Sequence, residues 1–498
     1  MAAIGCNKKE QNPPAPVLEP SISSFKLEVK NNANKIKKDV FFNINRETNI
    51  ISADIIGYTT FLDKDLEFVP TFELASVEKI LVNGKEQVSG VTKIDFSKPV
   101  IYTVVNSENV EKSYTVNVNF SLSGLPTVVV NTEGGVEIKS KDDWVKANFS
   151  IDSKGLEDDI DNISIEIAGR GNSTWSYPKK PYKIKLESKT QILGMPKHKR
   201  WVLLANYIDR TMMRNDVAFL LGQKTKIAWT PHGKFVELVF NGKHVGNYYL
   251  CEQIRIDENR LPIKELSETS TDITGGYLLE LDTYYDEVVK FRSAVKNFPV
   301  NVKEPGDKTT KEQAEYITNY FNTAETTLYG KEWLDKENGY KKYIDITSYV
   351  DIYLVSELIY HDEWRHPKST YMFKDAGGKL CAGPMWDHDW LCFTQGKDVW
   401  FCKNYVWYPR FMEDPEFVAL AKKRWKELYP EFYKVINYIS QTGKQLTLSD
   451  QLNWAMWGKE GGVGPNDDRG LSFTNAVELM KNRYSERLEW LNKEINKW

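Results

Sequence analysis

Gly169-Arg170-Gly171-Asn172-Ser173-Thr174-Trp175 is followed, two residues on, by Pro178-Lys179-Lys180-Pro181-Tyr182-Lys183-Ile184-Lys185-Leu186. The first run joins glycines, hydroxyls and a cation, and glycine allows backbone N–H groups to approach phosphate oxygens closely. The second run ends as a strand: Tyr182, Ile184 and Leu186 share one face, so Lys183 and Lys185 point together on the other. Two readings of the stretch stay open. Either it is a solvated basic face, or Arg170, Asn172, Ser173 and one of the two lysines neutralise a bound phosphate group.

Outward from this stretch the pattern is β-rich on both sides, from about 126 to 282, with strands predicted at Ile163 to Ala168, Tyr182 to Leu186, Phe235 to Phe240 and Gly246 to Cys251. Beyond that the period changes. Lys311 to Leu334, Ser348 to Tyr360, Pro415 to Tyr438 and Thr474 to Lys497 carry helical spacing and good helix formers. A β-rich part at about 126–282 followed by a helical part at about 283–498 predicts an α+β domain.

Upstream, residues 23–120 read as short strands separated by turns. The Asn83-Gly84 pair favours a tight hairpin, and Tyr102 and Val104, then Tyr114, Val116, Val118 and Phe120, alternate around a polar turn at 106–112. This predicts an all-β sandwich, similar to the immunoglobulin-like modules that precede catalytic domains in bacterial surface lipoproteins, and it holds no cluster of catalytic residue types. Residues 1–22 read as a tether: Ala3-Ile4-Gly5-Cys6 looks like the end of a lipoprotein signal, with Cys6 as the lipidated residue, and Pro13, Pro14, Pro16 and Pro20 suit an extended linker.

The chain of 498 residues exceeds what one core organises, so more than one packed unit is expected. A net charge of −3 supplies no global field for nucleic acid, and no run reaches the roughly 18 apolar residues of a membrane span, which leaves a lipid on Cys6 as the expected membrane attachment. The five cysteines show no CxxC pair and no cysteine–histidine ligand spacing, so no structural zinc site is expected and isolated thiols are favoured over a disulfide among Cys381, Cys392 and Cys402.

The second dense segment runs from His361-Asp362-Glu363-Trp364-Arg365-His366 through Thr370-Tyr371-Met372-Phe373-Lys374, a Gly377-Gly378 turn and Leu380 to Trp386, to Asp387-His388-Asp389. Thr370 to Lys374 and Lys379 to Met385 are predicted to pair as an antiparallel hairpin, bringing Asp362 and Asp387 to its open end. Phosphoryl transfer needs one carboxylate to orient the acceptor hydroxyl and another to hold metal against the phosphates. Asp362 fits the first role and Asp387 the second, with Asp389 on the same side two residues on if that stretch is extended; the alternative is that Asp362 caps a turn and Asp387 pairs with an arginine. His361, His366 and His388 crowd the segment without zinc-enzyme spacing, and polar packing is expected of them.

The Arg-Gly-Asn-Ser-Thr-Trp and Pro-Lys-Lys-Pro-Tyr-Lys runs resemble the CotH kinase family, related to spore coat protein H. So do Asn206-Tyr207-Ile208-Asp209-Arg210 with Arg214 and Asn215, Gly246 to Ile254, Gly275 to Asp282 and the Trp-Asp-x-Asp segment at Trp386, arriving in the family's order over about 126–430. The resemblance implies an atypical two-lobed kinase-like domain over 126–498 that uses ATP with Mg²⁺ or Mn²⁺ to phosphorylate serine or threonine hydroxyls on extracytoplasmic proteins. It implies nucleotide contacts from Arg170, Asn172, Ser173 and Lys183 or Lys185, Glu252 as partner of the phosphate-binding lysine, Asp362 as base, and Asp387 and Asp389 on the metal. One departure stands out: Lys368, Ser369 and Thr370 occupy the neighbourhood where many members carry an asparagine, which admits weaker metal binding or a silent kinase. The competing reading is an inactive surface module binding glycans or proteins through Trp364, Trp386, Trp390, Trp400 and Trp407.

Overall fold

The computed structural model describes residues 18–394, 398–458 and 465–498. Cys6 and most of the proline-rich tether lie outside the described residues. Two compact units divide between Leu122 and Ser123. No helix among the described residues is long and apolar enough to cross a membrane.

The first unit is all β. Its strands are β1 (Ser21–Leu27), β2 (Val40–Phe41), β3 (Asn43–Asn45), β4 (Ile50–Ile56), β5 (Glu67–Phe68), β6 (Pro70–Ala75), β7 (Lys79–Val82), β8 (Lys85–Glu86), β9 (Ile94–Asp95), β10 (Val100–Val105) and β11 (Glu111–Ser121). They form a sheet ordered β2-β1-β6, a sheet ordered β3-β4-β11-β10-β7-β8, and the short pair β5-β9. Phe25 and Phe72 from the first sheet meet Tyr102 from the second at ring distances of 5.3 and 6.2 Å, so the inward faces of the two sheets share one core. Asn83 and Gly84, both at positive φ, close the β7–β8 hairpin as their residue types require. The Asn106 carboxamide accepts from the N–H groups of Glu108 and Val110 and shapes the β10–β11 turn.

The second unit is mixed α/β with several sheets. Seven strands, β12 (Thr127–Thr132), β13 (Val145–Asp152), β14 (Ile160–Gly169), β15 (Tyr182–Ile192), β16 (Met195–Leu204), β17 (Gly233–Phe240) and β18 (Lys243–Glu252), close into a barrel in the order β12-β13-β14-β15-β16-β18-β17. Alternation fills the barrel with Val128, Phe149, Ile165, Ile167, Ile184, Leu186, Trp201, Leu203, Val236 and Leu250. The opposite residues, among them Val202, Leu204, Phe235, Tyr249 and Cys251, face outward into a second core. Closure leaves no strand edge exposed, an outcome that short alternating segments do not announce.

That second core is shared with a five-stranded sheet, β20-β21-β19-β22-β23, built from β19 (Tyr277–Leu281), β20 (Lys290–Arg292), β21 (Pro299–Glu304), β22 (Thr370–Lys374) and β23 (Leu380–Ala382). The helices are α1 (Arg214–Gln223), α2 (Lys311–Tyr329), α3 (Ile346–Ile359), α4 (Tyr408–Phe411), α5 (Pro415–Trp457) and α6 (Phe473–Ile495). The strand-then-helix segregation is incomplete. α1 lies between barrel strands, and β20 to β23 lie beyond 283, because β19 recruits partners from both sides of α2 and α3. α3 is buried on nearly every side, so its apolar run shows no amphipathic stripe, and Tyr360 in the left-handed region ends it. α5 and α6 run antiparallel: Trp425 bonds Asn492, and the Tyr484 hydroxyl donates to the Phe432 carbonyl.

Candidate functional site

Between the barrel's outer face and the five-stranded sheet lies an open cavity of about 560 Å³. The Gly169–Thr174 loop forms one rim. Gly171 holds φ at 85°, and a Cβ on Gly169 would lie 2.4 Å from the Trp175 ring, so both glycines answer a local steric demand. Arg170 crosses the cavity with its guanidinium 5.4 Å from the Trp386 ring. Asn172 and Ser173 also line it, and the Lys141 ammonium donates to the Asn172 carboxamide at 3.4 Å.

The lysines of the motif separate. Lys183 reaches the cavity beside Trp144, and burial lowers its pKa. Lys185, two residues along the same outer face, pairs with Glu166 at 2.7 Å in solvent and does not line the cavity. Lys179 is buried, donating to Asn453 of α5 at 2.8 Å and to the Asn247 carbonyl, and burial pushes its pKa down to about 7. Lys180 donates to the Trp175 carbonyl.

The opposite wall is acidic. β19 delivers Glu280 and Asp282, and the loop after β23 delivers Asp387 and Asp389. Asp387 sits at φ 66°, a left-handed conformation that aspartate tolerates better than most residues, and accepts from the Ser369 hydroxyl at 3.1 Å. The loop is anchored from behind. Asn215 accepts from the His388 N–H at 2.7 Å, Arg214 donates to the Cys392 carbonyl at 3.0 Å, and Asn466 joins the Leu391 N–H to the Asp389 carbonyl. Arg214 is itself fixed by Asp209 and Asp468. The Asn206–Asn215 segment thus acts by holding the carboxylate loop.

Burial first, and the neighbouring Asp387 and Asp209 carboxylates next, raise the Asp389 pKa well above the ordinary range. Burial pushes Glu280 up to about 7 against the pull of Lys303, and burial with Asp387 pushes Glu363 up to about 7. Asp282 is raised by burial as well. Carboxylates that repel one another in a shared, partly desolvated cavity form a site for a cation.

Two further expected residues stand elsewhere. Asp362 is buried, ion-paired to Arg365 in the short helix that opens at its own position, and does not line the cavity; its neighbour Glu363 does. Glu252 faces Arg260 at 2.6 Å and accepts from the His232 N–H, so it serves no lysine. A cavity lysine that does pair with carboxylates is Lys303 of β21, 3.1 Å from Glu280 and also paired to Glu287; burial pulls its pKa down but the two carboxylates raise it overall. Of the five tryptophans considered as a binding platform, Trp386 and Trp390 line the cavity. Trp364 stacks on Tyr408 at 4.7 Å and Trp407 is fully buried, because both fill the core around α3.

The residues missed were Glu280, Asp282, Glu363 and Lys303. Glu280 and Asp282 repeat the two-residue spacing of Asp387 and Asp389, a signal that was available; Lys303 carried none. The predicted hairpin is present, with Met372 opposite Ala382 and Lys374 opposite Leu380. A second cavity of about 580 Å³ adjoins the first through Arg170, Lys183, Lys303 and Trp386, and adds Val202, Ile254 and Leu278. No curated protein matches the chain. The sequence model of the family described as CotH kinase protein matches residues 167–495, more than half of the chain, and the chain belongs to the CotH kinase family.

Proposed function

We propose that the chain is an atypical protein serine/threonine kinase that transfers the γ-phosphoryl group of ATP, with Mg²⁺ or Mn²⁺, to hydroxyls of extracytoplasmic proteins. Family membership supports a kinase-like activity. The observation that carries the finer reading is one cavity lined both by the carboxylates of Asp387, Asp389, Asp282 and Glu363 and by the cations of Arg170, Lys183 and Lys303. A triphosphate with its metal needs both charges at once.

In this reading Asp387 and Asp389 hold the divalent cation, which when bound neutralises phosphate charge. Burial and the neighbouring Asp387 carboxylate raise the Asp389 pKa, an environment that a cation would relieve. Arg170, Lys183 and Lys303 neutralise phosphate oxygens, while Glu280 and Glu287 keep Lys303 charged and pointed into the cavity. The adjoining cavity, walled by Val202, Ile254 and Leu278, suits an adenine ring. Glu363, with a pKa of about 7, is suited to accept the proton of the acceptor hydroxyl near neutral pH, a role for which Asp362, tied to Arg365, is poorly placed. The kinase-like halves are then the barrel and the sheet-and-helix remainder, with 23–120 as an immunoglobulin-like spacer and Cys6 as the lipid anchor outside the cytoplasm.

Isothermal titration of the full chain with ATP, with and without Mg²⁺ or Mn²⁺, tests the proposal alongside Asp387→Asn. Metal-dependent binding weakened at least about tenfold in the variant is expected, since one charged ligand of the cation is removed. Absence of ATP binding under every metal condition sinks the kinase reading and favours the surface-binding module.

A further inference from the structure

Directly behind the carboxylate loop stands a cluster that the cleft chemistry does not use. His361 follows the end of α3, His388 stands between Asp387 and Asp389, and Cys392 lies four residues further on. Their exposures are 3 %, 1 % and 0 %. One ligating atom from each, a ring nitrogen or the Sγ, can be chosen so that all three lie within 4.8 Å of one another. The imidazole rings meet edge to face at 4.7 Å, walled by the Trp364 ring on one side and Phe219 on the other.

Polar packing, the expectation for these histidines, requires hydrogen-bond partners. Among the described residues neither ring has one: both nitrogens of His361 and both of His388 are buried and unpaired. Burial holds His361 neutral, its pKa pushed down to about 3. Neutral imidazole is the form that ligates metal. Cys392 is a free thiol in the same pocket.

We infer that His361, His388 and Cys392 form a structural zinc site. Two imidazole nitrogens and a thiolate are a borderline-soft donor set suited to tetrahedral Zn²⁺, and they leave a fourth position for water or for the neighbouring buried thiol of Cys402. Binding forms a Zn–S bond and releases the Cys392 proton to solvent; nothing is oxidised or reduced. The ion relieves one unpaired nitrogen on each ring. It also ties the end of α3 to the loop after β23, and these two segments carry Glu363, Asp387 and Asp389 on their opposite side. Zinc would therefore set the spacing of the cleft carboxylates without touching substrate. His388 and Cys392 share one loop, but His361 comes from the far side of the β22–β23 hairpin, so only the tertiary structure brings the three together.

The test is metal analysis of the purified full chain, followed by removal of metal with a strong chelator and titration with Co²⁺. About one zinc per chain is expected in wild type, and the stripped chain should take up Co²⁺ with a near-ultraviolet thiolate-to-cobalt charge-transfer band. Cys392→Ser should lose that band, and Cys381→Ser, whose thiol lies outside the cluster, should keep it. Zinc far below one equivalent together with no cobalt band in wild type overturns the inference, whether or not the variants fold. An undiminished band in a folded Cys392→Ser chain overturns it as well. Asp387→Asn, which tests the nucleotide cleft, should retain its zinc, so failure of one proposal is distinguishable from failure of the other.

Discussion

Lys183, Lys185 and Lys303 show how little a residue's type says about its work. Lys183 and Lys185 share a strand face, yet barrel curvature carries one into the cavity while the other meets Glu166 in solvent. Lys185→Ala should leave ATP affinity within about twofold, as expected for an exposed pair, whereas Lys303→Met should weaken it by at least about tenfold. Titration calorimetry on both variants checks this, and equal effects would remove Lys303 from the phosphate site. A second expectation concerns Glu280 and Glu363, both with pKa values raised to about 7. Below that pH both are protonated and add no negative charge beside Asp387 and Asp389; above it both carboxylates are charged. Mg²⁺ affinity of the full chain should therefore fall from pH 8 to pH 6, by up to about tenfold in all, as the field at the cation weakens. A flat profile would mean that neither group faces the cation.

At the scale of elements, α1 is the joint between barrel and helices. Its Asp216 accepts from the Tyr249 hydroxyl of β18 at 3.0 Å and from the Tyr438 hydroxyl of α5 at 2.7 Å. Burial nonetheless pushes its pKa up to about 6, outweighing the two donors. A carboxyl whose folded pKa exceeds its unfolded value of 3.8 binds its proton more tightly when folded. The stability it contributes is full below that unfolded value and is lost as pH rises through about 6. Asp216→Asn keeps an uncharged acceptor and should raise stability at pH 8 by up to about 3 kcal/mol while changing little at pH 4. Denaturant unfolding at the two pH values measures this, and a loss of stability at pH 8 would show that the charged form is favoured at the joint. The hairpin β22–β23 was readable because its glycine turn and alternating strands are local. Its partner β19 was not, because pairing Leu279 with Met372 depends on chain far away in sequence.

On the scale of the whole molecule, the chain divides into two compact units between Leu122 and Ser123. The cavity, its anchoring loop and the barrel all belong to the second. A fragment of 123–498 should therefore unfold cooperatively by itself and bind ATP with the affinity of the full chain, within about twofold. Thermal unfolding and calorimetry of the fragment test this, and loss of binding would assign part of the site to the first unit.

By itself the sequence determined what depends on near neighbours: the glycines of the Gly169–Thr174 loop, the Asn83-Gly84 turn, alternation in strands of both units, and the Trp386–Asp389 segment as a source of cleft carboxylates. Its family motifs placed the chain among the CotH kinases. Tertiary structure alone decided which charges share the cavity. It closed the barrel, brought Lys183 to the cavity, tied Asp362 to Arg365 while setting Glu363 in the cavity lining, and brought Lys303 to Glu280. It also gathered His361, His388 and Cys392 behind the cleft. The reason is physical: turns and alternation follow from backbone sterics over a few residues, whereas the meeting of charges depends on strand closure and helix packing between segments well separated along the chain.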